Sequence, residues 1–260
     1  MSHSSPHCQL SVNLDHVATL RQQRRVSYPS VQKAMEIVEA SPALGVTLHL
    51  REDRRHIQDG DLLVAKASFG KKLNLEMSLA TDIVELALRV APQQITLVPE
   101  RREELTTEGG LDVKVHFDRL KPLIQAFKTK NIHSSLFIEP DVTAIRYAAE
   151  LGADAVELHT GAYANAVLQA KNVDLELQRL RQAASIAHSA GLRVYAGHGL
   201  TLDNVGAVAM LQHITELNIG HGLVSHAVFV GLTQAIADFC HAMSQAHKVA
   251  FNAEPALSLS

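Results

Sequence analysis

The chain has 260 residues, 47% of them hydrophobic, which is enough for one large core at the size of a single α/β barrel. A net charge of -3 supplies no global basic field, so neither nucleic acid nor an acidic membrane surface is an expected partner. Cys8 and Cys240 alone cannot build a disulfide framework, and MSHSSPHCQLSVNLDHV lacks the basic and apolar regions of a signal peptide, so the expected location is the cytoplasm.

In chain order, β-rich runs are expected at Leu10–Leu14, Val46–Leu50, Leu73–Met77, Ile95–Val98, Ser135–Ile138, Ala155–Leu158, Arg193–Ala196 and Leu217–Ile219. Amphipathic stretches separate them, among them SVQKAMEIVEA, TDIVELALRVA, DRLKPLIQAFKTK, DVTAIRYAAELGA and DLELQRLRQAASIAHSAG. Ser30, Thr81 or Asp82, Asp118, Asp141 and Asp174 stand where a side-chain oxygen caps a first turn, and Gly152 and Gly191 stand where a helix stops. Leu217 to Ala237 contains no Asp, Glu, Lys or Arg, but its Asn218, His221, Ser225, His226, Thr233 and Gln234 predict a buried strand, a turn and a helix rather than a membrane span.

Strand–helix alternation with near-continuous apolar strands means a parallel sheet covered by helices. Eight such units at this length predict a closed (β/α)8 barrel with extra helices. An open doubly wound sheet is the alternative, but no strand is followed by a G-x-G-x-x-G turn. No linker divides the chain, which is read as one barrel domain over residues 1–260 with a loose tail from about residue 248.

In such a barrel the site lies at the carboxyl ends of the strands. Every apolar run ends in an ionisable residue: Asp15 and His16, His49 and Arg51, Glu76, Glu100, Glu139, Glu157 and His159, His198, and His221. His49 and Arg51 share a strand face, with Leu50 turned away. Arg51 and His56 suit a phosphate or carboxylate, because guanidinium is a forked donor. Of the arginines in LHLREDRRHI, some are expected to pair with Glu52 and Asp53, and at least two to be structural. A second anion site is expected at AGHGL (196–200) and NIGHGLVSHAV (218–228), with a helix starting after Ser225. The polar segment PERREELTTEGGLD (99–112) has the length of a lid.

No lysine stands at an expected strand end, which disfavours an enzyme-bound Schiff base. No His-x-His pair or cysteine cluster claims a metal, although spacing alone leaves open a centre built from Asp15, His49, His198 and His221. Two rivals are a different phosphate-handling barrel enzyme and a barrel that only binds.

VNLDHVATLR (12–21), VTLHLREDRRHI (46–57), LNLEM (73–77), LVPERREELTTEGGLD (97–112), ELHTGAYA (157–164), AGHGL and NIGHGLVSHAV together resemble the signatures of the pyridoxine 5'-phosphate synthase family, in order along nearly the whole chain. The resemblance implies a (β/α)8 barrel, a transferase of vitamin B6 biosynthesis and a homo-octamer. It implies condensation of 3-amino-2-oxopropyl phosphate with 1-deoxy-D-xylulose 5-phosphate, through a Schiff base between the substrates. The products are pyridoxine 5'-phosphate, inorganic phosphate and water, and no cofactor or metal takes part. By motif, Asn13, Arg24, Gly199, Gly220 and His221 would bind the amino-ketone phosphate. Asp15, His16, Arg51, His56 and Thr106 would bind the deoxyxylulose phosphate. His49 and Glu76 resemble the proton acceptors, His198 the proton donor, and Glu157 the group that stabilises the transition state. The chain departs from the family pattern at Arg25, where the family often has Gly, and at Pro29-Ser30-Val31, in place of Pro-Asp-Pro.

Overall fold

The computed structural model describes residues 8–100 and 109–253, with side chains described only as far as residue 245. Eight parallel strands, β1 (Gln9–Asn13), β2 (Gly45–Leu50), β3 (Lys72–Met77), β4 (Gln94–Leu97), β5 (His133–Ile138), β6 (Ala155–His159), β7 (Arg193–Gly197) and β8 (Ile214–Ile219), close in chain order into a barrel. Around it lie α1 (Asp15–Arg24), α2 (Val31–Glu39), α3 (Asp59–Ser68), α4 (Thr81–Val90), α5 (Phe117–Thr129), α6 (Val142–Glu150), α7 (Gly161–Leu168), α8 (Val173–Ser189), α9 (Val205–Ala209), α10 (His221–Val230) and α11 (Leu232–Ala253). Helices α1, α7 and α10 are additional to one helix per strand. Each follows its strand at once, so each begins at the carboxyl mouth. The first residues of the expected tail belong to α11. No described helix is long and apolar enough to cross a membrane.

The strands are not continuously apolar as expected. They alternate, although both faces are buried. In β2, GVTLHL, and β3, KLNLEM, the residues Val46, Leu48, Leu50, Leu73, Leu75 and Met77 pack outwards under the helices and are fully or almost fully buried. The residues between them are polar and fill the barrel. Thr47 Oγ1 donates to Asn218 Oδ1 at 2.9 Å and accepts from Asn74 Nδ2 at 3.3 Å. Thr96 donates to Asn74 Oδ1 at 3.0 Å, and Asn218 Nδ2 donates to Glu157 Oε2 at 2.7 Å. Barrels usually fill this space with branched aliphatic layers. Here a connected polar network reaches from β4 round to β6 and ends on a carboxylate at the mouth. Buried polar groups of this kind hold a fixed geometry only when paired.

Two of the expected caps form. Ser30 Oγ accepts from Lys33 N at 3.2 Å, and Asp141 Oδ1 accepts from Thr143 N at 2.8 Å and Ala144 N at 2.9 Å. Asp82, Asp118 and Asp174 instead lie inside the first turns of α4, α5 and α8. There a carboxylate favours the positive helix end without taking the capping position. Gly152 and Gly191 stop α6 and α8 with φ of 75° and 84°.

Candidate active site

A cavity of about 720 Å³ opens at the carboxyl mouth. Asn13, Asp15, His16, His49, Arg51, Glu76, Glu157, His198, Gly199, Gly220 and His221 all line it, so eleven of the fourteen expected site residues converge. His56 sits just behind this wall, its ring 5.8 Å from that of His49. Arg24 is exposed on the last turn of α1 and does not line the cavity. Thr106, and most of the segment expected to act as a lid, fall outside the described residues.

The register of β2 and β3 builds the centre. His49 is the direct neighbour of Glu76, and His49 Nδ1 lies 3.9 Å from Glu76 Oε2. His49 Nε2 is held by Glu100 Oε1 at 2.9 Å. With Glu100 ionised, Nε2 carries the proton and Nδ1 keeps its lone pair toward Glu76 and the cavity. Glu100 therefore orients the imidazole, a role that its strand-end position did not reveal. Its second oxygen accepts from Glu52 N at 3.0 Å. Asp15 Oδ1 accepts from His49 N at 2.8 Å, and Asn13 Nδ2 reaches both Asp15 at 3.1 Å and Glu76 at 3.4 Å.

In the LHLREDRRHI stretch, Arg54 pairs with Asp59 and Asp82, and Arg55 pairs with Asp53. Both are structural, as expected, although only Arg55 takes an expected partner and Arg54 reaches the acids of α3 and α4 instead. Arg51 is different. It lies 3.7 Å from Glu100 and 3.5 Å from Asp53, and its buried Nε has no hydrogen-bond partner among the described residues. His16 Nδ1 is likewise buried without a hydrogen bond among the described residues. Such groups are costly unless a ligand meets them.

Asp15, His49 and His56 bring ligand atoms within 4.8 Å of one another, the spacing of a metal site. The donor chemistry does not fit one. Ile57 N donates to His56 Nδ1 at 2.9 Å, which leaves the proton of the neutral ring on Nε2. Burial, then the charges of His49 and Arg51, push His56 down to about 4. Near neutral pH it is an uncharged N–H donor, suited to an anion and unsuited to a cation.

At the far side of the mouth, β7 ends in Gly197, His198 and Gly199. A Cβ on Gly197 would stand 2.5 Å from Glu157 Oε1, so only glycine lets β7 pass this carboxylate. His198 itself has φ 84°, left-handed backbone in a non-glycine residue. Its carbonyl accepts from Thr160 Oγ1 at 2.5 Å. The helix expected after Ser225 begins earlier: α10 starts at His221 with Gly220 before it, and Ser225 lies in its middle. Gly220, His221 and Gly222 put the positive end of α10 on the cavity wall, where an anion would be held.

Burial, then the charges of Glu157 and Asp15, raise Glu76 well above the usual carboxylate range. Burial and then Glu216 raise Glu157 to about 8, against the Asn218 hydrogen bond and Lys72. Burial lowers His198, followed by His159, while Glu139 works the other way. Three further residues bear on the site without having been assigned a role there: Phe137, Asn218 and His159, the last expected only as an ionisable strand end. His159 and Asn218 stood in quoted motifs, and period-two counting from Glu157 and Gly220 points both inwards.

A scan against family models matches "Pyridoxal phosphate biosynthesis protein PdxJ" over residues 10–245. A pyridoxine 5'-phosphate synthase of Chlorobium phaeobacteroides is 49% identical over 230 residues, 88% of this chain and 97% of the relative. One from Synechococcus is 50% identical over 234 residues, 90% of this chain and 98% of the relative. Among solved structures, KGPDC from Streptococcus mutans superposes with a TM-score of 0.62 at 12% identity, covering 92% of this chain and 98% of that one, a likeness of fold alone. With the family model spanning almost the whole barrel and the relatives nearly half identical end to end, the chain belongs to the pyridoxal phosphate biosynthesis protein PdxJ family.

Proposed function

We propose that the chain is a cytoplasmic pyridoxine 5'-phosphate synthase, a transferase that condenses 3-amino-2-oxopropyl phosphate with 1-deoxy-D-xylulose 5-phosphate. The carrying observation is the convergence of His49, Glu76, Glu157 and His198 with Arg51 and the start of α10 in one cavity. Acid–base groups and two separate anion cradles are what two phosphorylated substrates require. The substrate amine supplies the Schiff base, which agrees with the absence of lysine from the described cavity wall.

Without substrate, the protons rest on the opposite partners from those the chemistry needs. Glu76 is raised and His198 lowered, yet Glu76 is to accept a proton and His198 to donate one. Substrate charge corrects this. An ammonium beside Glu76 favours its carboxylate, and phosphate oxygens near His198 favour imidazolium. Binding thereby sets the working protonation states before proton transfer begins. Glu157, held near neutrality in its affinity for protons, can hydrogen-bond a developing oxyanion as its acid form.

The homo-octamer implied by the resemblance is part of this reading, and Arg24 supports it. Arg24 does not reach the cavity of its own chain. Leu20 on α1 is 53% exposed and Phe229 on α10 is 87% exposed, large apolar side chains of the kind that a second copy would cover. A substrate-binding Arg24 would then serve a neighbour's cavity. Mixing inactive Arg24→Ala and His49→Asn subunits should restore part of the activity. No restoration would confine Arg24 to its own chain or to no role.

The direct test supplies both substrates to the purified protein after exhaustive chelation. Pyridoxine 5'-phosphate and inorganic phosphate should accumulate together. Loss of turnover with EDTA and recovery with a divalent metal would overturn the metal-free acid–base reading, and no product at all would favour another phosphate-handling reaction.

A further inference from the structure

Among the described residues no side chain hydrogen-bonds the His198 ring, but the ring has a neighbour that is tightly held. His159, from the end of β6, meets the His198 ring edge-on with centroids 4.9 Å apart. His159 Nδ1 is bound to Glu139 Oε1 at 2.8 Å. The same Glu139 oxygen accepts from Gly110 N at 2.9 Å. Gly110 closes the long segment after β4, and the next residue, Leu111, donates its N–H to Phe137 O at 2.8 Å. Phe137 completes the cluster, its ring 5.0 Å from His159 and 6.4 Å from His198.

The local sequence is cut to this arrangement. A Cβ on Gly161 would stand 2.5 Å from His159 Nε2, and one on Gly110 would stand 2.6 Å from Glu139 N. Gly161 leaves the space that the His159 ring occupies, and Gly110 lets its N–H come close under the backbone at the end of β5, where it meets the Glu139 carboxylate. We propose that His159 and Glu139 are positioning residues that fix the His198 ring, with Glu139 anchored in turn by the Gly110 N–H, so that the aim of the proton donor is set by a held carboxylate–imidazole pair. A carboxylate that orients one histidine is a familiar device in metal and triad sites; here the oriented histidine in turn backs a second one. The proposal deepens the synthase reading and rests on it.

The experiment compares Glu139→Gln and His159→Gln with the wild-type enzyme in steady state, using both substrates across pH. Among the described residues, the charges that bear on His198 are those of His159 from β6 and Glu139 beyond β5; Arg179 of α8 lies 3.9 Å from Glu139, and Glu157 of β6 shares the cavity wall. Ala164 of α7 packs against Gly199, and Asp203 on the following loop is exposed. Each variant should lose roughly 10- to 100-fold in kcat with KM little changed, by analogy with outer-shell partners elsewhere. The alkaline limb of kcat, where a proton donor is lost, should move in opposite directions: down for Glu139→Gln, which removes the charge that favours imidazolium, and up for His159→Gln, which removes the one that opposes it. A merely structural role would lower stability or active fraction without that opposed shift. Should either variant fold poorly, Gly161→Ala, which displaces the His159 ring from the opposite side, should give the same kcat loss at constant KM. Unchanged kcat and pH limbs in a wild type that makes product would overturn the positioning role alone, whereas a wild type that makes no product would overturn the synthase reading.

Discussion

Arg51 and Glu76 sit on neighbouring strand ends and should fail in different ways. Arg51 offers charge and a buried Nε that makes no hydrogen bond among the described residues to an anion carried by the substrate. Removing such a contact costs roughly 1.5–3 kcal/mol, so Arg51→Ala should raise KM by about 10- to 150-fold with a smaller effect on kcat. Glu76 and His49 act on protons in flight. Glu76→Gln and His49→Asn should each lower kcat by about 10²–10⁴-fold with little change in affinity. Steady-state kinetics on variants with native circular dichroism separates the two patterns. A Glu76→Gln enzyme with near-normal kcat would leave its raised affinity for protons as a by-product of burial. The strand-end rule found most of these residues because a parallel barrel must present its strand termini at one mouth. It gave no means of telling Glu100, which orients His49, from a solvated acid, since that distinction needs a distance between β2 and the end of β4.

At the scale of elements, strands were the most legible feature. Their apolar outer face is obligatory under a layer of helices, and every expected strand overlaps an observed one. Helices α1 and α7 were not legible. DHVATLRQQR is polar on most sides and GAYANAVL is apolar on most, so neither shows a period of 3.6. The helix start at His221 was missed because no capping side chain marks it, only Gly220 with φ −116° and ψ −83°. The departure at Arg25 has a structural meaning. Arg25 caps α1 in the left-handed region, φ 51° and ψ 47°, where a glycine costs nothing sterically. Arg25→Gly relieves about 1–2 kcal/mol of backbone strain and gives back part of it, about 0.5–1 kcal/mol, to the freer unfolded chain. The expected net is a rise in Tm of roughly 1–3 °C, read by thermal unfolding. A fall in Tm would mean that the Arg25 side chain contributes more than its backbone costs.

Over the whole molecule, the polar barrel interior makes stability depend on pH in a direction opposite to that of an ordinary surface carboxylate. Glu157 has a folded affinity for protons raised to about 8, and Asp15 and Glu76 are raised as well. A carboxyl raised on folding holds a proton that the unfolded chain releases, so its contribution is full below the unfolded value near 4.5 and is lost as pH climbs through the folded value. His16, His56 and His198 are lowered, so each is neutral in the folded state where the unfolded chain is protonated, and each adds stability as pH rises toward about 6.5. The two sets oppose each other between about 4.5 and 6.5 and leave a shallow profile there. Above about 6.5 the histidines are neutral in both states, and only the carboxyls remain. The ligand-free protein should therefore lose stability between about pH 6.5 and 8, by up to about 1.4 kcal/mol per pH unit for each carboxyl that titrates. Urea unfolding at intervals across that range measures the slope. Glu157→Gln, which keeps the Asn218 hydrogen-bond geometry without a titrating proton, should flatten it. An equal slope in that variant would move the effect from Glu157 onto Asp15 and Glu76 or onto groups at the surface.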